Sequence, residues 1–253
     1  MCTISSWTDC ELHTVIHFYT LSLILHFVHF YTKFILVTNE PLSLRERKRQ
    51  QTRQAIEEHA TRLAIERGLN NVTVEDICQA AQISRRTLFN YVESKEAAII
   101  GTPPRDIPAE EQEKFLSQPH SDLIATTMEL YLDNTISAQF VDETTAAEIL
   151  RRRKHIRREN PSLAHLSSAN HHEFFSNLHE LLTQYLTRYP EQRILTMHSV
   201  EHEANHIAKI AFYAVHLGFM EWIDSPKESF ATLRRKCHHN LDSLSTLASE
   251  RIK

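Results

Sequence analysis

Residues 72–96 read VTVEDICQAAQISRRTLFNYVESKE, and the stretch contains two helix starts of the same kind. At the first, Thr73 precedes a helical run, Asp76 stands three residues on, and Val72 and Ile77 bracket them. That is an N-cap, a shortened capping box and a hydrophobic staple. At the second, Ser84 caps, and Ile83 and Leu88 repeat the staple. Between them Val74, Ile77, Cys78 and Ala81 recur at i, i+3, i+4 and i+7, so the first helix is short and apolar on one face. Two short helices joined by a brief turn make a helix-turn-helix. The second helix is predicted to expose Arg85, Arg86, Thr87, Phe89, Asn90 and Tyr91. Such side chains can meet both base edges and phosphates. Double-stranded DNA is the partner this surface predicts.

Outward from this stretch, the chain reads as all-α. Only three glycines, Gly68, Gly101 and Gly218, occur in 253 residues. A sheet protein of this size would need many glycine-bearing hairpin turns. Net charge is −4, unevenly spread: residues 44–101 carry ten Lys/Arg against eight Asp/Glu, whereas residues 102–253 carry seventeen against twenty-one. The front is the better anion binder. Within it the cluster Arg45, Arg47, Lys48, Arg49 and Arg53 matters more than the sum. The four cysteines, Cys2, Cys10, Cys78 and Cys237, show neither metal-ligand spacing nor a disulfide framework, which suits a reducing cytosol.

Four segments follow. Residues 1–43 are expected to lie outside the fold as an appended segment, such as upstream sequence translated from a misplaced start. Val15 to Val37 is apolar and long enough to cross a bilayer, but His17, His26, His29 and Lys33 are costly in hydrocarbon. A membrane anchor is therefore the lesser reading, and no membrane partner is expected. Residues 44–101 form the helix-turn-helix domain, with a first helix from about Arg47 to Arg67 ending at Gly68, and a last one starting at Ser94. Residues 102–119, with Pro103, Pro104, Pro108, Glu110, Glu111 and Glu113, are expected as a linker. Residues 120–253 are expected as a helical regulatory and dimerisation domain, with helices over Leu123–Ile136, Glu143–Arg158, Leu163–Tyr185, Val200–Trp222 and Phe230–Leu247. The last two contain small residues that permit close helix approach and are the candidates for a dimer interface.

The span Thr52 to Gly101 resembles the DNA-binding domain of the tetracycline-repressor (TetR) family of bacterial regulators. The resemblance rests on AIERG (Ala64 to Gly68), VTVEDI (Val72 to Ile77) and ISRRTLFNYVESKEA (Ile83 to Ala97). Residues 120–253 are similar only in helix order and in the segment Arg157 to Pro161. The resemblance implies a three-helix DNA-binding domain followed by a helical ligand-binding and dimerisation domain, acting as a homodimer with a small-molecule effector. It implies that Arg85 and Arg86 face bases, that Thr87 and Asn90 join them at base or phosphate, and that Phe89, Tyr91 and Lys95 lie at phosphate-contacting positions. Three departures stand out: Phe89 replaces the usual tyrosine, Gln82 the usual turn glycine, and Val92 a common core phenylalanine. The complete DNA-contacting set is Arg47, Lys48, Arg49, Thr73, Ser84, Arg85, Arg86, Thr87, Phe89, Asn90, Tyr91 and Lys95.

Three other signals compete. His202-Glu203-Ala204-Asn205-His206 spells HExxH, which in a zinc hydrolase supplies two ligands and a base. A histidine-rich chain produces that string by chance roughly once in ten such sequences. Polar residues flanking a packed helix are the preferred reading, ahead of a metal-responsive regulator that adds His171, His172 or His179, and of an enzyme. The basic run Arg151, Arg152, Arg153, Lys154, Arg157 and Arg158 points around most of a helix and is expected to be a solvated surface rather than a second DNA site. Phe115, Met128, Tyr131, Phe140 and Phe174 are candidates for core or for an effector cavity. The sequence therefore predicts a cytoplasmic, non-enzymatic transcriptional regulator without cofactor or metal, most readily a ligand-responsive repressor on a pseudopalindromic operator.

Overall fold

The computed structural model describes residues 44–101, 104, 106–136, 140–225 and 228–250, the side chains of 164–171 excepted. The expectations for residues 1–43, Leu166 and His171 lie outside the described residues. Met1–Glu46 divides from Arg47–Lys253, and the latter is one compact unit.

All regular structure among the described residues is helical. In chain order the α-helices are α1 (Leu44–Arg67), α2 (Val74–Ala80), α3 (Arg85–Phe89), α4 (Lys95–Ile100), α5 (Ala109–Leu116), α6 (Leu123–Thr135), α7 (Glu143–Glu159), α8 (Pro161–Arg188), α9 (Val200–Ile223) and α10 (Phe230–Glu250). Each start has a local cause. Asp122, Asp142 and Ser199 accept a hydrogen bond from the amide three residues on and so cap α6, α7 and α9. Pro161 opens α8, where its missing N–H costs nothing. Gly68, at φ +83°, closes α1 by donating its amide to the Ala64 carbonyl at 3.0 Å.

Two apolar cores result. The front one gathers Ile56, Ala60 and Leu63 of α1, Val72, Ile77 and Cys78 around α2, Leu88, Val92, Ala98 and Ile99. It also takes in Ile156 of α7 and Leu163 of α8. The front domain thus completes its core with two side chains from beyond residue 120. The rear core is built from α6, α8, α9 and α10, with Tyr131, Phe174, Leu178, Tyr185 and Trp222 buried. At its centre α9 and α10 cross closely: a Cβ added at Gly218 would stand 2.6 Å from the Cys237 amide nitrogen. Cys237 is buried there, and burial pushes its thiol up to about 12.

Residues 109–116, within the stretch read as a linker, form α5, and Phe115 is buried in the rear core. Tyr189 donates its hydroxyl to the Leu116 carbonyl at 3.1 Å, and the His120 amide donates to the Tyr185 hydroxyl at 2.8 Å. The rear aromatics pack ring on ring: Tyr131 has Phe174, Phe175 and Phe212 at 5.5–6.0 Å between centroids. Phe140 lies apart, in a small cluster with Ala146 and Ile149.

Candidate nucleic-acid interface

The capped stretch folds as its sequence dictates. The Thr73 hydroxyl accepts from the Asp76 amide at 3.1 Å, and the Asp76 carboxylate accepts from the Thr73 amide at 2.9 Å, closing the capping box. Hydrogen bonds from the Thr73 hydroxyl and amide hold the Asp76 carboxyl below its ordinary value. Val72 and Ile77 are both buried beneath the box, as the staple requires. At the next start the Ser84 hydroxyl accepts from the Thr87 amide at 3.0 Å, with Leu88 fully buried.

The turn between them is a Schellman closure. The Ile83 amide donates to the Cys78 carbonyl at 3.0 Å and the Gln82 amide to the Gln79 carbonyl at 3.3 Å. Gln82 occupies the left-handed position, with φ +54°. A residue with a Cβ is strained there, whereas glycine would not be.

On this frame α3 presents its polar side outward. Arg85, Arg86, Phe89 and Asn90 are exposed, Thr87 is half-buried and Tyr91 packs partly against the front core. Arg85 pairs with Glu75 of α2 at 2.8 Å, and its guanidinium carbon lies 5.7 Å from the centroid of the Phe89 ring. Arg86 makes no hydrogen bond or ion pair among the described residues. Arg47, Lys48 and Arg49 are exposed on the first turns of α1. Ser84 and Thr87 bond each other through the helix cap, and two further members of the predicted set have partners within the chain. Thr73 is engaged in its capping box, and Lys95 donates its Nζ to the Leu69 carbonyl at 3.1 Å.

Residues 56–98 match a family model described as bacterial regulatory proteins, tetR family. These residues form a tetR-family DNA-binding domain. The tetR-family domain makes the chain a DNA-binding transcriptional regulator, and a helical domain follows it. Among solved structures, GusR of Salmonella enterica is similar at 17% identity and a TM-score of 0.39, over 81% of this chain and 98% of that one. No curated protein matches the chain. Of the departures from the tetR-family pattern, Gln82 takes the strained turn position, and Val92 is buried in the front core.

The HExxH string is built for a different task. Glu203 is 1% exposed and turned away from solvent: its carboxylate accepts from the Ile194 amide at 2.6 Å, the Leu195 amide at 3.2 Å and Arg193 Nε at 3.0 Å. It fastens the loop that enters α9, and its carboxylate is engaged there rather than exposed beside the two histidines. His198, His202 and His206 stack outside, with centroids 4.4 and 4.3 Å apart. Loss of solvent, then the neighbouring His206 and His198, hold the His202 imidazole below its ordinary value. His179 bonds the Glu201 carbonyl at 3.1 Å, and His172 is exposed. Among the described residues no group of three His, Cys, Asp or Glu side chains is arranged to hold a metal ion.

The basic run of α7 corrects the solvated-helix expectation. Arg153 is buried, pairing with Glu57 of α1 at 3.0 Å and donating Nε to the Ile99 carbonyl at 3.0 Å. Arg152 pairs with Glu58 of α1 at 3.3 Å, and Arg151 donates to the carbonyls of Ile223 and Ser225. Charge in a run reads as solvated surface only while no second element covers it; here α1 and α4 cover one side. Gln54 adds a further tie, its amide oxygen accepting from the Val141 and Asp142 amides and its nitrogen donating to the Asp142 carbonyl. Sequence reading missed Gln54, Glu57 and Arg153 as a junction. Gln54, Glu57 and Thr61 do share one stripe of α1, but a polar stripe looks the same whether it faces water or a neighbour.

Proposed function

We propose that the chain is a ligand-responsive repressor that binds a pseudopalindromic operator as a homodimer. The capped and stapled α3, with Arg86 exposed and unpartnered among the described residues, is the observation that carries this reading. Arg85 and Arg86 read base edges, and Thr87 and Asn90 meet base or phosphate. Phe89, Tyr91, Thr73, Ser84 and the α1 residues Arg47, Lys48 and Arg49 line the phosphates. Lys95 joins them after exchanging the Leu69 carbonyl for a phosphate oxygen, both being acceptors for one ammonium. The Arg85–Glu75 pair is no obstacle, since both side chains are about two-thirds exposed and such pairs contribute little.

Dimerisation is assigned to α9 and α10. Tyr213, Leu217 and Met220 follow one another at i, i+4 and i+7 on α9 and are exposed, as is Leu247 on α10. An apolar stripe on a strongly packed helix is the usual sign of a partner surface. No helix among the described residues is long and apolar enough to cross a membrane; action in the cytoplasm is part of the proposal and rests on the DNA-binding domain. The test is selection of bound genomic fragments by purified protein. Recovery of a two-fold symmetric site is expected, and recovery of unrelated duplexes at equal yield would end the proposal.

A further inference from the structure

The helix that grips the DNA-binding domain has a second face. Ile149, Arg153 and Ile156 of α7 are buried, the last two toward α1 and α4. Arg151, Lys154, His155 and Arg158, at i, i+3, i+4 and i+7, line the opposite side, where with Ile223 and Asp224 they flank an open surface cleft of about 510 Å³. That volume falls within the range of small-molecule sites.

The cleft is basic and its cations are only partly used. Among the described residues three permanent cations face one carboxylate, Asp224, which pairs with Lys154 at 2.7 Å. Glu159 touches the far ring nitrogen of His155 at 3.1 Å, at the rim. Arg151 gives Nε to the Ile223 carbonyl and Nη2 to the Ser225 carbonyl, at 3.0 and 2.9 Å, and its guanidinium carbon lies 5.9 Å from the Trp222 ring centroid. Those bonds cover the carbonyl end of α9, whose partial negative charge would otherwise repel an anion. Counting partners among the described residues, three of the five Arg151 guanidinium hydrogens remain for a ligand, and Lys154 retains two of three. Arg158 shares one with His155 Nδ1 at 3.2 Å and is otherwise exposed.

We propose that this cleft binds a small polyanion, one carrying two or more carboxylate or phosphate oxygens, and that α7 carries its effect to the DNA-binding domain through Arg153. The effector role rests on the regulator reading above; the binding site itself does not. A ligand drawing Arg151, Lys154 and Arg158 toward one centre acts on the helix whose other face holds Glu57, Ile99 and the front core. It shifts DNA affinity only to the extent that it binds the free and DNA-bound arrangements unequally.

The test uses the full chain and two probes, citrate and inorganic pyrophosphate, titrated calorimetrically at matched ionic strength without DNA. Saturable binding of at least one probe is expected, weakened at least tenfold by Arg158→Glu and by Lys154→Gln. Both side chains stand outside the cores, and an unchanged melting curve checks their folding. Binding that survives both substitutions, or that sodium chloride at equal ionic strength reproduces, would overturn the site. Duplex binding lost in Arg158→Glu with no probe binding would instead make this face a DNA contact and overturn it too. In a second arm, the bound probe should change affinity for a selected DNA fragment at least fivefold; no change would end the effector role. Since the first arm contains no DNA, failure of the cleft and failure of the regulator reading are distinguishable.

Discussion

Arg153 Nη2 lies 3.0 Å from Glu57 Oε2, and both side chains are 3% exposed. The contact is an ion pair without an aligned hydrogen bond at Nη2, while Nε is satisfied by the Ile99 carbonyl. Removing two charges from water costs much of what their attraction returns, so the pair fixes how α7 docks on α1 more than it adds stability. Gly101 leaves the space: at φ +95°, its Cβ would stand 2.7 Å from the Arg153 guanidinium carbon.

Breaking one side of that pair should be costly. Arg153→Met leaves the buried Glu57 with only Arg53, 4.0 Å away on the same helix, so the expected loss in urea unfolding is at most about 3–5 kcal/mol, and adding Glu57→Leu should restore most of it. A double variant as unstable as the single one would show that the ion pair is not the cause. Gly101→Ala should lose about 1–3 kcal/mol through the strained backbone alone.

Base reading and phosphate holding separate experimentally. Arg86→Ala should weaken binding to a selected operator by about 1–3 kcal/mol while leaving random duplex nearly unchanged. Lys48→Ala should weaken both alike and flatten the salt dependence by about one unit of slope. Equal losses on both duplexes for Arg86→Ala would reassign it to the phosphates.

Gln82 carries local strain. Gln82→Gly should stabilise the protein by about 0.5–1 kcal/mol, the relief of a left-handed Cβ less the extra chain entropy of glycine. A lowered thermal midpoint would mean that the glutamine side chain contributes more than its backbone costs.

Glu203 is predicted to act on stability, not chemistry. Burial raises its carboxyl, but the Ile194 and Leu195 amides and Arg193 together outweigh that and hold it below the ordinary 4.5. A depressed folded value means stability that is complete above 4.5 and is lost as pH falls through the folded value. Glu203→Gln should therefore cost about 2 kcal/mol at pH 7, with the gap to the parent narrowing below pH 4.5. A gap that stays constant between pH 7 and pH 3.5 would remove the charge from the explanation.

The exposed stripe of α9 gives a direct test of assembly. Leu217→Glu or Met220→Glu should turn a dimer into a monomer in light scattering at micromolar protein, a loss of at least about 2 kcal/mol per interface if these are central contacts. Unchanged mass would place the dimer elsewhere.

The sequence by itself determined the local structure and the class of partner. Caps, staples and glycine stops act within four or five residues, so Thr73, Ser84 and Gly68 could be placed without a fold, and the all-helical architecture followed from periodicity and three glycines. The exposed face of α3 was legible for the same reason: Leu88 goes inward, so its arginine neighbours go outward. Tertiary structure alone decided the fate of charged residues far from that stretch. Glu57 and Arg153 are 96 positions apart, and nothing local distinguishes them from solvated side chains until α1 and α7 meet. Glu203 illustrates the converse: a string with the letters of a catalytic motif became a loop clamp because its carboxylate was turned toward the Ile194 and Leu195 amides. Periodicity reports which face is apolar; which polar group finds a buried partner depends on contacts between distant segments.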